Sequence, residues 1–169
     1  MRIFKEEQRF TQTWLMVLLA TSAIVPLVII SKEYFKDKSM TLQEYTTTLA
    51  IVIVSLGFIF FFKLITRIDE AGIHYQFFPF HFSLKKITWS EIEKVNTRKY
   101  DAISEFGGWG LKGGVFWKKS NGIAYNVKGD IGVQLKLTNG KKILIGTQKR
   151  ADIDLVLKNY EHKIIANEN

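Results

Sequence analysis

The uncharged run FTQTWLMVLLATSAIVPLVIIS, Phe10 to Ser31, lies between Arg9 and Lys32, and its reading decides how the rest of the chain is organised. Its apolar heart, Trp14 to Ile30, is long enough to cross a hydrocarbon core of about 30 Å at about 1.5 Å per residue. Pro26 would break a soluble helix, but a bilayer helix tolerates it where neighbouring groups satisfy the freed carbonyl. A cleaved signal peptide is the rival reading. Against it, Arg2, Lys5, Glu6, Glu7 and Arg9 mix both signs ahead of the run, and no small-x-small site precedes SKEYF.

A second uncharged run extends from Tyr45 to Phe62, between Glu44 and Lys63, with LAIVIVSLGFIFFF as its core. Lys63 can snorkel, so Leu64 and Ile65 extend the expected span. Burying such a run inside a soluble fold would need a larger protein than the remaining chain of about 100 residues provides. Two transmembrane helices are therefore expected, at about 10–31 and 45–65. With the N-terminal tail they make up a first region, 1–66. A soluble domain follows over 67–169.

The linker SKEYFKDKSMTLQEY is short and polar, so the spans form a hairpin with both outer ends on one side. The tail carries Arg2, Lys5 and Arg9, and the linker carries Lys32, Lys36 and Lys38. Lys63 and Arg67 break that tie toward a cytoplasmic soluble domain.

The net charge is +8, and from Thr66 onward 17 basic side chains face 11 acidic ones. Such a surplus fits a polyanionic neighbour, such as a phospholipid surface or an acidic protein. A solvated surface is the plainer explanation of the same charge. No cysteine is present, which excludes disulfides, thiolate metal sites and cysteine nucleophiles.

After Arg67 the pattern is that of β-strands. Ile68–Ile73 reads as a short strand and turn, His74–Phe78 as a strand, and Phe80–Leu84 as an alternating strand after Pro79. Ser90 is a candidate cap for a brief helical turn before a strand over Val95–Tyr100. A Gly-rich loop covers Phe106–Gly114. Val115–Trp117 and Ile123–Val127 are further strand candidates. In GVQLKLTNGKKILIG, Gly132 to Gly146, Asn139-Gly140 predicts a two-residue hairpin turn with both centres at positive φ. Ile153, Val156, Leu157, Tyr160 and Ile164 form one apolar stripe and predict a helix over about Arg150–Ala166. About seven short strands and one amphipathic helix suit a bent sheet or barrel closed by that helix.

The segments IDEAGIHYQFFPF, ITWSEIEKVNTRKY, FGGWGLKGG, AYNVKGDIGVQLKL and GKKILIGTQ, within Ile68–Leu157, resemble bacterial membrane-anchored proteins with a pleckstrin-homology-like domain. That resemblance implies a seven-strand barrel capped by a C-terminal helix, in a protein of the bacterial inner membrane. It implies no catalytic motif, and fold does not fix function. The basic motif of lipid-binding eukaryotic members has only a partial echo here, in Lys85 and Lys86.

No catalytic, cofactor or metal site is expected. His74, His81 and His162 are the only histidines, and they have neither ligand spacing nor a Ser-His-Asp arrangement around them. Glu91 and Glu93 read as solvated charges. Gly107, Gly108, Gly110, Gly113 and Gly114 lack the ending of a phosphate-binding loop and serve tight turns instead. The candidate contact residues for lipid or partner are Arg98, Lys99, Trp109, Lys112, Lys118 and Lys119. The expected function is a membrane-anchored, non-enzymatic interaction module at the cytoplasmic face. It would bind a protein partner or anionic lipid headgroups. A subunit of a membrane enzyme, channel or transport complex is the alternative. No nucleic acid is expected, since no recognition motif accompanies the charge. A homo-oligomer is left open.

Overall fold

The computed structural model describes residues 3–113 and 121–165, the side chain of Ile165 excepted. The chain divides into two compact units, Phe10–Phe62 and the residues on either side of it.

The first unit is a helical hairpin. Helix α1 spans Thr13–Phe35 and α2 spans Leu42–Gly57, continued as a 3-10 turn through Phe58–Phe61. Both are long and apolar enough to cross a membrane. In α1 only Ile30 is buried, and α2 buries none of its residues. Val25, Ile53 and Val54 are each at least 60% exposed, so the apolar surface faces outward. Both helices extend into the predicted linker. Thr41 starts α2 with a capping box: its hydroxyl accepts from the Glu44 amide, and the Glu44 carboxylate accepts from the Thr41 amide. Tyr34 stacks on Tyr45 at 4.5 Å where the helices turn. Phe10 and Phe62 meet edge to face at 6.2 Å at the open end.

The second unit holds two sheets and a C-terminal helix. The first sheet runs β1(Phe4–Arg9), β2(Lys63–Asp69), β3(Gly72–Phe78) and β4(Lys85–Ile87), all antiparallel neighbours. The second contains β5(Ile92–Lys99), β6(Gly110–Gly113), β7(Ile123–Asn126), β8(Ile131–Leu137) and β9(Lys142–Gly146) in the order β5-β8-β9-β7-β6. Only β7 and β9 run parallel. Among the described residues no pairing closes the two sheets into one barrel. They face each other through Tyr75 and Phe77 of β3, whose rings lie 4.7 and 6.5 Å from that of Tyr125 on β7.

Helix α4, Arg150–Ile165, buries the expected stripe of Ile153, Val156, Leu157, Tyr160 and Ile164. Trp89 stacks on Tyr160 at 5.0 Å and donates its indole N–H to the Asp69 carbonyl, so the helix is tied to the end of β2.

Sequence reading and structure part at several places. The tail is no tail: Phe4–Arg9 is a strand in register with β2, Phe4 opposite Ile68 and Arg9 opposite Lys63. Leu64 and Ile65 do not extend the second span. They belong to β2, where Leu64 is fully buried opposite Gln8 and Phe77. The region drawn as 1–66 thus contributes residues 4–9 and 63–66 to the sheet. Phe80–Leu84 is a turn and bend, not a strand. Thr88, not Ser90, caps the 3-10 turn Trp89–Glu91, because Glu91 answers it in a capping box. The Gly-rich loop contains β6 and follows a short helix, α3(Ala102–Phe106), which Gly107 ends in the left-handed region. At the β8–β9 turn only Gly140 has positive φ, and its amide donates to the Leu137 carbonyl. That is a three-residue connection with a glycine bulge instead of the two-residue turn. Val115–Trp117 and Ala166 lie outside the described residues.

Strand β1 alternates burial residue by residue, with Phe4, Glu6 and Gln8 inside. The Glu6 carboxylate accepts from the Thr147 hydroxyl at 2.7 Å and from the Gln148 amide at 2.8 Å, just before α4. Gln8 donates its side-chain amide to the Gly146 carbonyl at 2.8 Å. Glu6→Ala strands these donors and is expected to destabilise the protein by about 1–3 kcal/mol. Glu7→Ala removes only the exposed pair with Arg9 and should change stability by less than about 1 kcal/mol. Urea unfolding of the purified chain measures both, and equal midpoints for the two variants would contradict the assignment of Glu6 as a tie between β1 and the Thr147–Gln148 segment ahead of α4.

Candidate functional site

The basic segment singled out in the sequence is built on β5, α3 and β6. Successive residues of a strand point to opposite faces, so Arg98 and Lys99 diverge. Arg98 forms a two-pronged pair with Glu105 of α3, at 3.1 and 2.7 Å, and also donates to the Gln134 side-chain oxygen. The Arg98 hydrogen bonds hold the Glu105 carboxyl below its ordinary 4.5. Lys99 is exposed and lies 3.1 Å from Asp130. Asp101 caps α3 by accepting from the Ile103 and Ser104 amides. Trp109 packs against Tyr100, Ala102 and Phe106 and donates to the Gly129 carbonyl at 3.3 Å. Burial pushes the Tyr100 hydroxyl up to about 12. Lys112 is exposed on β6. Lys118 and Lys119 lie outside the described residues. The structure therefore joins Arg98 to α3 and Trp109 to a small core. It does not bring Arg98 and Lys99 onto one face.

A different surface comes forward at the end of the first sheet. Lys63 pairs with Arg9 on one side and with Phe78 on the other. Beyond Phe78 the chain makes a tight excursion, Pro79–Leu84, before β4. The His81 amide donates to the Phe77 carbonyl at 2.9 Å, the Phe77 amide donates to His81 Nδ1 at 3.3 Å, and Gln76 donates to the His81 carbonyl at 3.0 Å. With His81 held inward at 8% exposure, its neighbours point out: Phe80 is 58% exposed, Phe82 85% and Leu84 44%. Lys85 and Lys86 follow, both exposed. The sequence signal for this loop was present in Pro79 and the Lys-Lys pair. Alternation of apolar residues masked it, because a loop pinned at its middle residue imitates a strand.

The third cluster is Asp69, His74 and Arg67. Asp69 Oδ1 lies 3.0 Å from His74 Nε2 and accepts from the Ala71 amide at 2.9 Å, while Oδ2 lies 2.8 Å from Arg67 Nε. Burial acts to raise this carboxyl, but the hydrogen bonds from His74 and Ala71, with the neighbouring charges, outweigh it and hold it below its ordinary 3.8. No hydroxyl or thiol nucleophile accompanies the pair in these bonds, and their effect is to fix the β2–β3 turn. Among the described residues no three His, Asp or Glu side chains are grouped to hold a metal ion.

Comparison of the chain with protein-family models, with curated proteins and with solved structures finds no match.

These groups set the pH dependence of the fold. Burial and then the Lys85 charge push the His81 imidazole below its ordinary 6.5, so the native state binds that proton less readily than the unfolded chain. Stability from His81 is present above 6.5 and is lost progressively as pH falls from there toward the lowered native value. Asp69 and Glu105 have depressed native values, so their contribution is present above 3.8 and 4.5 and is lost as pH falls through those native values. Thermal midpoints followed against pH should therefore fall in two stages on acidification. His81→Gln is expected to remove the upper stage alone, and an unchanged profile would exclude His81 as its source.

Proposed function

We propose that the chain is a membrane-anchored, non-enzymatic interaction module: the two helices span a bilayer and hold a pleckstrin-homology-like domain at its cytoplasmic face. The observation that carries this reading is the pairing of Arg9 with Lys63. The chain leaves the sheet after Arg9 for the first apolar helix and re-enters at Lys63 directly after the second. The domain is thus tethered through two adjacent strands with no linker to speak of.

Two mainly antiparallel sheets followed by an amphipathic helix support the pleckstrin-homology-like reading. The nine strands among the described residues, β1 ahead of the helices included, exceed the seven-strand pattern by two. The inner membrane of a bacterium is the location that goes with the resemblance. Lys63 and Arg67, flanking the second span, favour a cytoplasmic domain. Binding of a protein partner or of anionic headgroups is the activity such a tethered, basic domain is suited to. A subunit of an enzyme, channel or transport complex is the competing class, and against it the stretches Thr13–Ser31 and Tyr45–Phe62 carry no ionisable group to line a pathway except Tyr45.

The chain lacks cysteine, so single cysteines report topology cleanly. In intact bacterial cells an impermeant maleimide should label Lys38→Cys, between the helices, and should label Ala71→Cys only after permeabilisation. The reverse pattern would invert the orientation. Recovery of the chain in the soluble fraction would remove the anchor itself.

A further inference from the structure

The exposed loop at the end of the first sheet carries more than the tether does. Scattered apolar side chains on a protein surface need no explanation, but three within five residues do. Phe82 is the most exposed large apolar side chain among the described residues, at 85%. Hydrogen bonds between His81 and the β3 residues Gln76 and Phe77 pin the loop, and Phe80 stacks on Phe77 at 6.0 Å with much of its ring still exposed. Phe82 meets Phe78 edge to face at 6.1 Å, and Lys63 Nζ lies 5.9 Å over the Phe78 ring, which puts a cation beside the aromatic cluster. Lys85 follows at the C-terminal side of the loop, opposite Tyr75, and Lys86, next along β4, points to the other face.

The register supplies the occupant. Arg9, Lys63 and Phe78 stand side by side at one end of three adjacent strands. Two of those strand ends continue into the apolar helices, and the third continues into the loop. Neighbouring strands lie about 4.8 Å apart, so the loop starts within about 10 Å of both points where the chain passes to the helices. Apolar tips beside a lysine match a bilayer interface, where rings enter the acyl boundary and ammonium groups meet phosphates.

We propose that residues 79–84 are an interfacial wedge: Phe80, Phe82 and Leu84 enter the headgroup–acyl boundary of the membrane that the two helices cross, and Lys63, over the Phe78 ring, engages its anionic phosphates. This rests on the membrane-anchored reading above and adds a second, independent hold on the lipid. The wedge recognises surface charge and acyl packing.

The test uses the full chain in vesicles of equal parts zwitterionic and anionic phospholipid, with an environment-sensitive fluorophore on one cysteine at a time. Ser83→Cys places the probe in the loop and leaves the three apolar side chains intact. Ala71→Cys places it at the far end of the β2–β3 hairpin, about 20 Å away at about 3.3 Å per residue. Ile53→Cys places it in the second helix. A quencher attached at shallow depth on the lipid should quench the Ser83 probe several-fold more than the Ala71 probe, with a blue shift, and a deep quencher should reach Ile53. Adding Phe82→Ser and Lys63→Gln to the Ser83 probe should reduce its quenching to the Ala71 level. If Ile53 is quenched and Ser83 behaves like Ala71, the wedge is wrong and the anchor stands. If Ile53 escapes the deep quencher, the anchor and the wedge fall together. A Ser83 probe shielded from aqueous iodide but untouched by lipid quenchers would mean that protein, not lipid, covers the loop, and that too overturns the proposal.

Discussion

The antiparallel pairing of β1 with β2 is the constraint on which the other features depend. It joins residues 4–9 to residues 63–68 across the whole helical unit. In a flexible chain, closing an excursion of that length costs roughly 3.5 kcal/mol plus a constant. Here the excursion is itself two helices packed side by side, with Phe10 against Phe62 at the open end, so much of the closure is already achieved by the hairpin. The same pairing fixes which end of the sheet the helices leave from. That in turn decides which loops share that end.

Strand β1 also determines how the two halves of the sheet–helix unit are joined. Its inward row is Phe4, Glu6 and Gln8, and the last two reach Gly146, Thr147 and Gln148 at the end of β9. A buried carboxylate is costly unless its lone pairs are met. Glu6 meets that demand with a hydroxyl and a backbone amide ahead of α4, where the helix dipole favours negative charge. The first sheet is thereby tied to the second by hydrogen bonds as well as by the aromatic contact of Tyr75 with Tyr125.

How much of this was legible depends on whether each face follows a simple period. The stripe on α4 could be read because every residue it buries is apolar and spaced for a helix. Strand β8 could be read because Val133, Leu135 and Leu137 alternate with exposed or half-exposed side chains. Strand β1 could not, since FKEEQR buries a glutamate and a glutamine, and no hydropathy pattern marks a strand whose inner face is polar. The boundary at Lys63 was hidden for a related reason: Leu64 and Ile65 continue the apolar run in composition while changing from helix to sheet in partner. The basic cluster around Arg98 was legible as sequence, but its pairing of Arg98 with Glu105 and of Lys99 with Asp130 was not. The exposed Phe80 and Phe82 were read as alternation, which they satisfy, with the inner and outer faces unassigned.

The polar inner face of β1 has a consequence for the order in which the protein is made. This strand is synthesised before either apolar helix, yet its pairing partner begins only at Lys63 and the acceptor-bound hydroxyl of Thr147 lies 141 residues beyond Glu6. Until residues 63–68 are made, β1 is an unpaired strand beside two emerging hydrophobic helices. A waiting strand with an apolar face would be a template for wrong pairing. With Phe4 as its one inward apolar side chain, among Lys5, Glu6, Glu7, Gln8 and Arg9, it stays in water until the rest of its sheet arrives. The polar residues that make β1 hard to recognise in the sequence are what let it wait.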